Sequence, residues 1–107
     1  MDPQVPEIDV ATLAQRREVP LVDVREVHEY EEVHVPGAQL LPMSEIADRV
    51  DEVPSGGEVY VICRSGARSL RVAEHLRGQG IEAVNVAGGT LAWIEAGHPT
   101  ASGLEPG

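Results

Sequence analysis

The sequence predicts an α/β fold, a parallel sheet covered by helices on both faces. Two observations carry this. Apolar runs bounded by turn residues alternate with helical patterns, and the clearest runs, Val59-Tyr60-Val61-Ile62-Cys63 and Ala83-Val84-Asn85-Val86, show little alternation of apolar and polar residues. A strand solvated on one face alternates; a strand covered on both need not. Length sets the scale: 107 residues, 42% of them hydrophobic, make one domain with a real core and leave no room for two.

The elements follow in order. Residues 1–7 hold two prolines and read as a loose lead-in to a single domain over residues 8–99. Asp9 is a candidate N-cap for a short helix from Val10 to Arg17. Pro20 to Arg25 reads as a buried strand ending in charge, and the acidic stretch Glu26 to Val33 as a helix. A turn at Val35-Pro36-Gly37 leads to a short strand from Ala38 to Leu41, after which Ser44 caps a helix from Glu45 to Asp51. Pro54-Ser55-Gly56-Gly57 is the strongest break. Beyond it come the Val59–Cys63 strand, a polar turn, and a helix from Ala67 to Arg77 that stops at Gly78-Gln79-Gly80. The strand from Ala83 to Val86 and the turn at Gly88-Gly89 precede a last helix, capped by Thr90, reaching Ala96. Residues 100–107 are expected to fray as a disordered tail.

Composition excludes several classes of function. With Trp93, Tyr30, Tyr60 and no Phe, the core is aliphatic. No apolar stretch reaches membrane-spanning length, and Met1-Asp2-Pro3 has neither the basic nor the apolar region of a signal peptide, so a soluble cytoplasmic protein is expected. A formal net charge of −10 disfavours nucleic acid and anionic membranes as partners. One cysteine forms neither an internal disulfide nor a CxxC pair, and the scattered His28, His34, His75 and His98 form no defensible metal-ligand set; each reads as a surface or capping group. No cofactor is expected. All eight positive charges are arginines, and Arg64, Arg68, Arg71 and Arg77 cluster in a stretch whose one acid is Glu74. A basic patch thus lies beside the cysteine of an acidic protein.

Cys63 ends a strand and opens the turn Arg64-Ser65-Gly66-Ala67-Arg68-Ser69, and a helical pattern (Leu70, Val72, Ala73, Leu76) follows at once. This order aims backbone N–H groups and a helix N-terminus at the sulfur, a way to hold a thiolate near neutral pH. Gly66 relaxes the sharpest part of the turn, while Ser65, Ala67 and Ser69 keep its mouth open. Arg64 and Arg68 are expected to bring fixed charge toward the same point. A free cysteine at a strand end is often only a small hydrophobe. None of this turn is needed to bury a thiol, and the reactive reading is the stronger one.

Residues 63–69 resemble the active-site loop of single-domain rhodaneses, the sulfurtransferases. Asp23-Val24-Arg25, Glu29-Tyr30, His34-Val35-Pro36-Gly37-Ala38 and Gly88-Gly89-Thr90-Leu91-Ala92-Trp93 are similar to that family's recurring stretches, in its order. Val33 departs from it, since a glycine commonly precedes the histidine. The resemblance implies a five-stranded, mostly parallel open sheet with helices on both faces, Cys63 as the sulfur-carrying residue, and residues 64–68 as a cradle, which Ser69 extends. Asp23 and Arg25 then tie loops together near the site, His34 is a loop hydrogen-bonder rather than a general base, and Trp93 is a core anchor.

The expected activity is two-step sulfur transfer. A small anionic donor such as thiosulfate loads Cys63 as a persulfide, and cyanide or a thiol, including one on a protein, unloads it. One rival is phosphatase or arsenate reductase chemistry, but Cys63 to Arg68 is C-x4-R, shorter than the C-x5-R of cysteine phosphatases. Another is a catalytically silent protein-binding module, against which the intact cysteine and loop argue.

Overall fold

The computed structural model describes residues 5–107. Its elements are β1 (Glu7–Ile8), α1 (Val10–Gln15), β2 (Leu21–Asp23), α2 (Val27–Glu32), β3 (Gln39–Leu40), β4 (Glu58–Ile62), α3 (Ala67–Gly78), β5 (Glu82–Val86) and α4 (Gly89–Glu95). The sheet has five strands in the order β1-β5-β4-β2-β3, and every pairing between them is parallel.

Both faces of the sheet are covered, which is why its central strands are continuously apolar. Val59, Val61 and Cys63 point to one side, where they pack with Val22, Val72, Ala73 and Leu76. Tyr60 and Ile62 point to the other and pack with Leu13, Tyr30, Val84 and Trp93. The aliphatic side therefore belongs to α3, while all three aromatics lie on the side of α1, α2 and α4.

This arrangement positions the cysteine. β2 and β4 are neighbours, yet the chain leaves β2 toward α2 on one face and β4 toward α3 on the other. Such a point, where adjacent connections part, opens a crevice beyond the carboxyl ends of the strands. Cys63 follows β4 directly, and Asp23 ends β2.

Several local expectations are corrected. Of the lead-in over 1–7, residues 1–4 lie outside the described residues, and Glu7 is already paired strand, in register with Asn85. The helix expected over Glu45–Asp51 is two 3-10 turns, Ile46–Asp48 and Val50–Glu52; Ser44 caps neither, its hydroxyl donating instead to Glu26 at 2.9 Å. Thr90 is not the cap of α4, a place taken by Gly88. The tail is folded against the domain. Ala101 and His34 exchange two backbone hydrogen bonds of 2.9 Å, the Gly103 N–H donates to Glu31 O at 2.7 Å, and Gly37 N–H to Pro106 O at 2.8 Å. His34 is the reason: it is fully buried rather than a surface group, and without the tail its backbone and its ring Nε2 would lose their partners. Its Nδ1 lies 2.7 Å from the Tyr30 carbonyl, and its Nε2 lies 3.0 and 3.1 Å from those of Glu105 and Pro106.

Candidate active site

β4 delivers Cys63 to the crevice, and α4 fixes how the chain turns there. The Thr90 N–H and hydroxyl both donate to the Cys63 carbonyl, at 2.9 and 3.1 Å, and the Leu91 N–H donates to the Arg64 carbonyl at 3.0 Å. With these carbonyls held outward, the following N–H groups turn inward. Gly66, at φ +104°, makes the bend and is the N-cap of α3. Its N–H donates to the Cys63 Sγ at 3.1 Å, and the Ser69 hydroxyl lies 3.3 Å from the same sulfur. The close approach of α4 requires Gly89: a Cβ there would stand 2.5 Å from the Cys63 carbonyl oxygen at a φ of +60°.

The thiol is 1% exposed, so burial pushes its pKa up. The Ser69 hydroxyl and the N–H groups of Ser69, Gly66 and Ser65 outweigh that and leave it below the ordinary 9.0. The sulfur sits in a nest of donors suited to negative charge.

The sequence-selected residues divide into three groups. Ser65, Gly66 and Ser69 gather around Cys63. Ala67 is exposed at the start of α3. The arginines depart from expectation, because their charge is not aimed freely at the sulfur. Arg68 donates from both terminal nitrogens to Glu29, at 2.9 and 2.9 Å, and the guanidinium beside it pulls the Glu29 carboxyl down to about 2. A shared carboxylate offsets much of the arginine's field. Arg64 is exposed, makes no ion pair among the described residues, and borders a cleft of about 350 Å³. Arg25, Glu29 and Thr90 also line that cleft, together with His28, Glu32, Val33, Leu91 and Ile94. Asp23 and Arg25 form a buried pair, with Arg25 Nη2 2.9 Å from Asp23 Oδ2 and also donating to Val33 O at 2.7 Å; their geometry ties the end of β2 to the end of α2. Among the described residues, no three His, Cys, Asp or Glu side chains form a group able to hold a metal ion.

Sequence reading missed Glu29 as the partner of Arg68, Thr90 as a brace of the loop, and Asn85. For Asn85 a signal existed. An amide inside the apolar run Ala83–Val86 is buried and needs partners.

The chain is thus a parallel α/β protein with a donor-lined cysteine at the switch point of its sheet. The family model of the rhodanese-like domain matches residues 9–96, and the chain belongs to that family. It is 41% identical over 100 residues to a sulfurtransferase of Allochromatium vinosum, the match covering 89% of this chain and 94% of the relative. It is 33% identical over 98 residues to the thiosulfate sulfurtransferase GlpE of Coxiella burnetii, covering 91% of each. YrkF of Bacillus subtilis is 36% identical over 94 residues, and the chain spans 51% of its length. The rhodanese-related protein of Thermoplasma volcanium superposes with a TM-score of 0.87 at 31% identity, over 94% of this chain and 99% of that one.

Proposed function

We propose that the protein moves a sulfane sulfur from a small anionic donor, such as thiosulfate, to a thiophilic acceptor through a persulfide on Cys63. The observation that carries this reading is the Cys63 sulfur facing the Gly66 N–H and the Ser69 hydroxyl at the carboxyl end of β4.

In the first step the Cys63 thiolate attacks the outer sulfur of thiosulfate. An S–S bond forms at Cys63, the donor's S–S bond breaks with its electron pair on the departing sulfite, and Cys63 keeps a persulfide anion. In the second step the acceptor attacks the terminal sulfur: cyanide leaves as thiocyanate, a thiolate as a new persulfide, and the Cys63 thiolate is restored. Charge balances in both steps, and no general base is needed once the thiol is ionised. The turn over residues 64–69, with Gly66 and Ser69 nearest the sulfur, supplies fixed dipoles where negative charge sits. The relative named for thiosulfate supports that donor. The cleft beside Arg64, walled partly by Val33, Leu91 and Ile94, gives room for an acceptor larger than cyanide, such as a small thiol or a protein thiol. A lone reduced cysteine suits a reducing compartment such as the cytoplasm.

The test is the intact mass of the reduced protein before and after thiosulfate, with Cys63→Ser alongside. One added sulfur, absent in the variant and removed by cyanide, is expected. No added sulfur from thiosulfate or from a mercaptan donor, together with slow alkylation of the thiol, overturns the reading.

A further inference from the structure

Ser69 has one hydroxyl proton and two candidate acceptors. Its Oγ lies 2.5 Å from Asn85 Oδ1 and 3.3 Å from the Cys63 sulfur. Asn85 cannot turn its amide over to relieve the competition. Its Nδ2 donates to the Gly66 carbonyl at 3.2 Å and to a Glu7 carboxylate oxygen at 2.7 Å, and a flip would set its own oxygen against both acceptors. Cys63, Ser69 and Asn85 are 1%, 0% and 1% exposed, so a partner lost by one is not replaced from bulk water.

We propose that Asn85 is a positioning residue that competes with the Cys63 sulfur for the Ser69 proton, so that the hydroxyl donates to sulfur while Sγ is anionic and returns to Asn85 when Sγ is neutral. The step is a rotation about the Ser69 Cβ–Oγ bond; no proton leaves the network. Its role in turnover rests on the persulfide reading above. Sγ carries the charge as the attacking thiolate and again as the group released to the acceptor. In the persulfide the charge moves to the terminal sulfur, Sγ becomes a weak acceptor, and the short bond to Asn85 is the better one. Asn85 thereby favours the loaded state and holds the hydroxyl clear of it.

Several charged groups face the site from the surrounding elements. They are Arg64 in the loop, Arg68 on α3 with Glu29 of α2, the Asp23–Arg25 pair at the end of β2, and Glu7 on β1. α4 brings only the uncharged Thr90 against the Cys63 carbonyl.

Competition predicts an unusual sign. Removing a group that merely supports the thiolate raises the cysteine midpoint; removing a competitor lowers it. The experiment compares the wild type, Asn85→Leu, Ser69→Ala and the double variant, following thiolate absorbance against pH and the rate of alkylation by iodoacetamide. With one cysteine in the chain, the alkylation rate reports Cys63 alone, and the absorbance is read below the pH at which Tyr30 and Tyr60 ionise. Ser69→Ala should raise the midpoint by about one unit, and Asn85→Leu should lower it by about half a unit to one unit. The double variant should match Ser69→Ala, since the hydroxyl for which Asn85 competes is then absent. A midpoint unchanged or raised in Asn85→Leu, or a fall that persists without Ser69, overturns the proposal. Should Asn85→Leu fail to fold, the side-chain amide resonances of Asn85 in the wild type decide. They should move with the Cys63 midpoint and cease to do so in Ser69→Ala; a movement that survives that substitution, or no movement, overturns it. None of these readouts requires sulfur transfer, so failure of the thiosulfate experiment remains a separate result.

Discussion

Glu29 on α2 and Arg68 in the first turn of α3 stand 39 residues apart and are joined by two hydrogen bonds of 2.9 Å. These helices lie on opposite faces of the sheet, so the pair spans the mouth of the crevice and anchors the second half of the cysteine loop. The Glu29 carboxyl is held at about 2, against an ordinary 4.5.

A depressed carboxylate pKa stabilises the fold fully above pH 4.5, and the contribution is lost as pH falls toward about 2. Both side chains are partly exposed, and solvent screening limits the pair to about 1 kcal/mol. Urea unfolding should therefore place Glu29→Gln about 1 kcal/mol below the wild type near neutral pH, with the difference closing through that acid window. A difference that stays constant with pH would assign the effect to packing instead.

Gly89 and Gly78 should respond oppositely to alanine. A Cβ at Gly89 meets the Cys63 and Arg64 carbonyl oxygens at 2.5 and 2.6 Å, so Gly89→Ala must push α4 from the loop, at a cost of about 2–4 kcal/mol. Gly78 ends α3 with nothing within 4 Å of the added carbon, and Gly78→Ala should gain about 0.5–1 kcal/mol. Thermal melts of the two variants decide; an unaffected Gly89→Ala would mean the α4 brace is slack.

The Asp23–Arg25 pair is 0% and 4% exposed at its side chains. Removing one partner strands the other charge, so Arg25→Met alone should cost about 3–5 kcal/mol. Pairing it with Asp23→Leu should recover part of that loss. Unfolding of the single and double variants tests the structural role, which a double variant no better than the single would contradict.

Deleting residues 103–107 removes the carbonyls that face the His34 ring and the bond to Glu31. Losing these partners of a buried histidine should cost about 1–3 kcal/mol in a denaturant melt. An unchanged midpoint would show that the tail is held without stabilising the domain.

Legibility in the sequence followed the range of the interactions. The Val59–Ile62 and Ala83–Val86 runs gave their strands because a strand covered on both faces is apolar throughout. Glycine marked the bends for the same local reason: Gly66 does adopt a positive φ of +104°. The stretch from Glu45 to Asp51 forms two 3-10 turns, with Ile46 in the α3-side core and Val50 packed against it; its Ile, Val and Asp residues are weak helix formers. Thr90 looked like a helix cap, since nothing local reveals that its hydroxyl reaches back 27 residues to Cys63.

By itself, the sequence determined the α/β class and the strand–turn–helix that presents Cys63, because burial pattern and turn chemistry are written within a few consecutive residues. The pairing of Arg68 with Glu29, the brace from Thr90, the buried His34 under the tail and the Asn85–Ser69 contact were decided only by tertiary structure. Each depends on which groups the sheet order brings within about 3 Å, a distance that spacing along the chain does not encode.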